Sequence, residues 1–204
     1  KNVSSHLPSP LAKPAGEPLA VNVKVDGNLN SFELTGQAGA DNHFNSRWLL
    51  GQKLTLDRAI WAADSKTLPP LPEQSGVELN MPPMNGAEWL ALFQKGAAES
   101  VGGAASFPQH ITLRTPMLSL GNQQWNNLSI VSQPTANGTQ VEAQGREINA
   151  TLAMRNNAPW LANIKYLYYN PSVAKTRGDS TQSSPFPTTE RINFRGWPDA
   201  QIRC

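Results

Sequence analysis

Between Gln109 and Leu152, apolar and polar residues alternate with a period of two. The apolar positions are Ile111 and Leu113, Leu118 and Leu120, Leu128 and Ile130, Val141 and Ala143, then Ile148, Ala150 and Leu152. Successive side chains of a strand point to opposite faces, so this period predicts strands with one apolar and one wet face. The alternation breaks at Thr115-Pro116, at Gly121-Asn122, from Pro134 to Asn137-Gly138, and at Gly145. Asn-Gly suits the tight turn whose twist matches a hairpin. The stretch reads as consecutive antiparallel strands in one sheet, apolar on a single side.

An earlier block has the same character. Val21, Val23 and Val25 alternate with polar residues up to the turn at Asp26-Gly27. Phe32 and Leu34 continue on a strand ending near Gly36, and Gly39 to Asn42 turns the chain again. Phe44 and Trp48 mark a third strand, Gly51-Gln52 a turn, and Leu54, Leu56, Ala59 and Trp61 a fourth. The alternation slips between Leu56 and Ala59, which predicts a bulge near Asp57-Arg58. The two blocks resemble each other as weak internal repeats. Between them, Leu68-Pro69-Pro70-Leu71-Pro72 fits neither a central strand nor a helix and reads as a connector. Val77 and Leu79 suit a short strand before Pro82-Pro83.

One segment has helical spacing. Trp89, Leu92 and Phe93 share a face at i, i+3 and i+4, Asn85 suits the N-cap with Glu88 completing a capping box, and Gly96 suits the stop. The helix over Asn85–Lys95 is expected to pack on the sheet, with plugging or gating of a groove end as the sharper alternative. Residues 157–170 fit a helix through Trp160, Ile164 and Leu167, or a strand through Trp160, Ala162, Ile164, Tyr166 and Tyr168. The tyrosines favour the strand. The expected organisation is a Pro/Ser-rich linker over 1–19, a first meander over 20–80, and a helix with a small-residue loop over 81–106. A second meander follows over 107–170, then a mobile polar loop over 171–190, and the start of a further repeat over 191–204, where Ile192 and Phe194 open a strand.

Composition narrows the function classes. With 204 residues and a formal net charge of +2, the chain has no basic block to hold nucleic acid. Its single cysteine, Cys204, excludes a disulfide framework within the chain. No apolar run reaches the ~18 residues of a spanning helix, so membrane contact is expected only through parts outside this segment. A strand-like pattern running into Cys204 suggests a piece of a longer protein. His6, His43 and His110 lack metal-ligand spacing and read as surface residues, and no cofactor is implied. Glu33, Asp57, Glu78, Glu142 and Glu147 are scattered without a carboxylate pair, and no catalytic motif is present, which argues against an enzyme. Arg177-Gly178-Asp179-Ser180 reads as a solvated loop. Trp48, Trp61, Trp125, Trp160 and Trp197 suit the ends of an apolar layer, or the sugar-stacking margin of a sandwich.

Several stretches together resemble a known family. They are L-S-L-G-N-Q-Q-W-N-N-L-S-I, V-E-A-Q-G-R-E-I-N-A-T-L, P-W-L-A-N-I-K-Y-L-Y-Y-N-P, A-V-N-V-K-V-D-G-N-L-N-S-F-E-L-T-G, L-T-L-D-R-A-I-W and I-N-F-R-G-W-P-D-A-Q-I-R-C. They are similar to the AsmA-like envelope proteins of Gram-negative bacteria, of the YhdP type. The resemblance implies a mainly β fold: an antiparallel meander curled into a groove with an apolar lining. It implies a periplasmic segment of a bridge-like protein, anchored in the inner membrane, that moves phospholipids between inner and outer membranes. Its partners would be phospholipid acyl chains and the neighbouring repeats of the parent chain. The groove-lining residues expected here are Leu118, Leu120, Leu128, Ile130, Val141, Ile148 and Leu152, with Val23, Val25, Phe32, Leu34, Leu54 and Leu56. The alternative is a β-sandwich built from the two meanders facing each other, binding carbohydrate or a protein and carrying no lipid.

Overall fold

The computed structural model describes residues 19–89, 105–106, 108–171 and 201–203. Strands β1 (Val21–Gly27), β2 (Ser31–Ala38), β3 (Asn42–Leu50) and β4 (Leu54–Ala63) form an antiparallel meander. A second one comprises β8 (Ile111–Leu120), β9 (Gln123–Thr135), β10 (Gly138–Gln144), β11 (Ile148–Arg155) and β12 (Leu161–Leu167). Strand β5 (Gly76–Asn80) lies between them, parallel to both β4 and β8. Both meanders therefore belong to a single sheet. The alternative, a sandwich of the two meanders facing each other, does not occur among the described residues. Short β6 (Met84–Asn85) pairs along β8, β7 (Ala105–Ser106) pairs with the start of β4, and β13 (Gln201–Arg203) adds to β12.

Parallel neighbours need a crossover, whereas antiparallel ones need only a turn. The chain after β4 makes its crossover through residues 64–75, on the wet face. There Asn45 Nδ2 donates to the Pro69 carbonyl at 3.3 Å and Arg58 Nη1 to the Pro72 carbonyl at 3.3 Å. The chain after β5 instead continues along β8 through Met84–Asn85 and then turns onto the apolar face in the helical residues 86–89. Met81, Met84 and Trp89 form a buried cluster with Ala63, against Trp61, Leu79, Leu113 and Leu118. This is where the core sits. It is small, and no large side chain among the described residues is sealed completely from solvent.

The expected turns fall at 39–41, 51–53, 121–122, 136–137 and 145–147. Asp57 is the extra residue of the predicted bulge: Arg47 pairs with Arg58 while Trp48 pairs with Leu56. Thr115-Pro116 is not a strand break, because β8 runs through it. The pair Pro116 and Asn127 is missing from the β8–β9 ladder, and Asn127 has φ +50°. Alternation resets there in both strands. Leu113 and Leu118, five positions apart, consequently reach the same cluster.

Within 157–170 the strand is Leu161–Leu167, and it does not keep the expected register throughout. A second irregularity opposite Asn149/Ala150 leaves Lys165 unpaired. Ala162 and Ile164 share the face of Ala150 and Leu152, while Tyr166 pairs with Asn149 on the other face and Leu167 takes its place beside Ile148. At the helix start, residues 86–89 are helical and Asn85 Oδ1 accepts the Ala87 N–H at 3.1 Å. Glu88 bonds the Asn85 side-chain amide at 3.0 Å, not the backbone N–H of a capping box. His43 is buried at 6 % exposure beneath the wet-face crossover, correcting its reading as a surface residue. The linker up to residue 18, the helix beyond Trp89 and the segment 172–200, with Arg177 to Ser180, Ile192 and Phe194, lie outside the described residues, as do His6, Trp197 and Cys204.

Candidate functional site

Directly paired residues on neighbouring strands point to the same face, so register alone decides which side chains assemble. From one edge, Val23 pairs with Gly36 and Val25 with Leu34. Phe32 pairs with Trp48 and Gly36 with Phe44. Trp48 then meets Leu56, Leu50 meets Leu54, and Phe44 meets Trp61. Trp61 pairs with Leu79, and Leu79 with Leu113. Leu113 pairs with Ile130 and Leu118 with Trp125. Ile130 meets Ala143, Val141 meets Leu152, and Ile148 meets Leu167. All thirteen residues named from the sequence thus stand on one continuous face crossing both meanders.

That face is mainly apolar, and among the described residues most of its side chains stay partly open to solvent. Leu56 and Leu128 are buried, at 7 % and 4 % exposure. Phe32, Leu34, Leu54, Leu118, Ile130, Val141, Ile148 and Leu152 are half-buried. Leu120, Val23 and Val25 are 40 %, 54 % and 61 % exposed. The face also carries a flat aromatic floor near one rim, where the Phe32 and Trp48 rings stack at 6.2 Å and 7°. Beside it the Phe44 ring lies directly over Gly36, where a Cβ would enter the ring. Glycine there lets an aromatic lie flat on the sheet.

Sequence reasoning left out Trp61, Leu79, Leu113, Met81, Met84 and Trp89. The first three extend the same alternation and were available to it through pairing. Trp89 packs on the sheet as its helical spacing led one to expect, whereas Met81 and Met84 follow β5 along β8, which no local period announces.

The opposite face is mainly polar, with Ile60 and Ala62 buried on it beside His43 and Asn45. Lys24 and Asp26 pair at 2.8 Å, and Arg114 and Glu78 at 3.0 Å. One carboxylate is buried at the rim. Glu147 accepts the Asn126 N–H at 2.6 Å, the Asn126 amide at 2.8 Å and the Asn170 amide at 3.1 Å. Burial pushes its carboxyl up, but the bonds from Asn126 and Asn170 outweigh that and hold it below the ordinary range. It satisfies the Asn126 N–H in the part of β9 that β10 does not pair. Among the described residues no cluster of His, Cys, Asp or Glu has metal-site geometry, and no helix is long and apolar enough to cross a membrane.

A broad face dominated by apolar side chains, with Ser46, Thr115 and Ser132 among its few polar ones, suits long hydrocarbon ligands, since the hydrophobic effect scales with area and has no direction. The architecture is that of an open β-sheet protein presenting one apolar face. The YhdP protein family model matches residues 1–204, and the chain belongs to that family. It is 99 % identical over 204 residues to the Intermembrane phospholipid transporter YhdP of Escherichia coli (strain K12). The match takes in 100 % of this chain and 16 % of that protein. No solved structure matches.

Proposed function

We propose that this segment is a non-enzymatic length of a lipid-carrying groove, its apolar face holding phospholipid acyl chains in transit between two membranes. The observation that carries the reading is the apolar face that runs from Val23 to Ile148 through both meanders, most of whose residues stay partly or largely open to solvent. The relative's name supplies the ligand class and the intermembrane setting. Leu118, Leu120, Leu128, Ile130, Val141, Ile148, Leu152, Val23, Val25, Phe32, Leu34, Leu54 and Leu56 line the path. Each buried methylene stabilises the complex by about 0.8 kcal/mol. The segment works in the periplasm, as part of a parent chain anchored in the inner membrane, and neighbouring repeats continue its sheet. A carbohydrate-binding sandwich is disfavoured because the two meanders lie side by side.

A photo-crosslinking residue at Leu120 or Ile130 should capture phospholipid. One at Ser119 or Ser129, on the other face, should not. Equal capture from both faces, or from neither, overturns the reading.

A further inference from the structure

Two tryptophans of the apolar face dispose of their N–H groups differently. Trp48 Nε1 donates to Ser46 Oγ at 3.1 Å, and that hydroxyl donates in turn to the Leu34 carbonyl at 3.2 Å. Trp125 Nε1 is shut off from solvent and has no acceptor among the described residues. Asn42 Oδ1, His43 Nδ1 and Asn45 Oδ1 are likewise buried without a partner. His43 and Asn45 stand on the wet face, whereas Asn42 pairs with Ala63 on the apolar one. A buried indole N–H ordinarily finds a partner, and leaving it unpaired costs stability.

Trp125 owes its place to the irregularity at Pro116 and Asn127. Unbroken alternation from Ile130 and Leu128 would put Asn126 on the apolar face and Trp125 on the other. The missing pair and the Asn127 φ of +50° reverse this, and Trp125 stands opposite Leu118. It lies two residues into β9, about 7 Å from the start of that strand at the turn over 121–122. Further down the same strand the face continues through Leu128 and Ile130.

A phospholipid with its acyl chains along Leu128 and Ile130, and its headgroup clear of that turn, brings its ester linkages to the level of Trp125. Esters offer carbonyl acceptors and no donor, so they can answer the Trp125 N–H but not Asn42 Oδ1. The hydroxyls of Ser46 and Thr115 already donate to the backbone carbonyls of Leu34 and Pro82. Trp125 as a whole is half-buried. A half-turn about its χ2, a broad and roughly two-fold torsion, brings Nε1 to the open side of the ring.

We propose that Trp125 is a specificity-determining residue of the lipid path, its indole N–H donating to an ester carbonyl of the bound phospholipid. The inference rests on the lipid reading above and adds one directional contact to it. A dialkyl phospholipid, with ether links in place of esters, fills the same apolar area but has no carbonyl. A site with a donor in place therefore discriminates against it.

The test uses the full-length protein with a photo-crosslinking residue at Ile130. It is loaded from vesicles holding equal amounts of diacyl and dialkyl phosphatidylethanolamine of the same chain length. With Trp125 intact, the diacyl lipid should be captured about tenfold more than the dialkyl one, the effect expected of one such hydrogen bond. Trp125→Phe keeps an aromatic ring and removes the N–H, and should bring the ratio close to one through loss of diacyl capture. Equal capture of the two lipids with Trp125 intact overturns the anchor and leaves the lipid reading standing, and this arm depends on no substitution of Trp125. A Trp125→Phe protein that loses both lipids alike and keeps the preference also overturns the anchor, since Trp125 then acts through packing alone. Capture of neither lipid with Trp125 intact overturns the lipid reading itself.

Discussion

The two crossovers of this sheet cover opposite faces by opposite means. Residues 64–75 cross the wet face and are tied down through backbone carbonyls. Pro69 and Pro72 accept from Asn45 and Arg58, and Ser75 Oγ donates to the Asp57 carbonyl at 2.8 Å. Proline has a carbonyl to offer and no N–H to satisfy, so a proline-rich segment can lie on a donor-bearing surface without orphaning its own groups. Residues 81–85 follow the edge of β8 and 86–89 begin the crossing of the apolar face, where the contact is made by Met81, Met84 and Trp89. Each face selects its own cover. Among the described residues, 81–89 packs on the central strands, while Val23 and Val25 on one flank of the apolar face stay exposed.

The widest test of this comparison sets an ion under the cover against one on the open flank. Met81→Asp should lose the fold, since an unpaired charge in a buried cluster costs several kcal/mol or more. Ile130→Asp should leave the segment folded, because water reaches the half-exposed flank, while phospholipid capture is lost. Thermal unfolding by circular dichroism distinguishes them, and an equal loss of melting temperature in both would erase the distinction between cover and flank. Trimming Met84 to alanine should cost about 2 kcal/mol, at the low end for such truncations because this cluster is incompletely enclosed. Denaturant titration reads it directly.

Next comes acid. The Glu147 carboxyl has a folded-state pKa depressed below its ordinary 4.5. Its stabilising contribution is full above that value and is lost as pH falls through the folded pKa. Stability of the wild type should therefore drop below pH 4.5 more steeply than that of Glu147→Gln, which cannot titrate. Parallel pH profiles would show that the Asn126 bonds carry no linkage. On the wet-face crossover, Asn45→Ala should cost only about 1 kcal/mol, the net worth of one hydrogen bond. A larger loss than in Met84→Ala would reverse the ranking of the two covers. The smallest effect belongs to Lys24→Ala: its partner Asp26 is equally exposed, and exposed pairs contribute little.

Much of the face was legible because β-strand alternation is a local property. Val23, Phe32, Leu54, Ile130 and Leu152 announce their side through their immediate neighbours, and the slip at Asp57 announces its own bulge. The two misread places are resets. Pro116 looks like a terminator, yet a neighbouring strand with Asn127 at positive φ absorbs the irregularity and keeps the ladder running. Lys165 drops out opposite Asn149/Ala150 and moves Tyr166 to the wet face, which nothing between Trp160 and Tyr168 signals.

By itself, the sequence determined that strands would form, where most of them turn, and that their apolar positions would fall on one side. Those outcomes depend on sterics and polarity within a few residues. Tertiary structure alone decided that the two meanders share one sheet, through parallel pairing with β5. It alone decided that Met81, Met84 and Trp89 come to rest on Trp61 and Leu118, that His43 is buried, and that Glu147 finds Asn126 and Asn170. Each of these joins residues many positions apart, and their meeting depends on where the crossovers lead the chain, a choice made by the burial of both faces together.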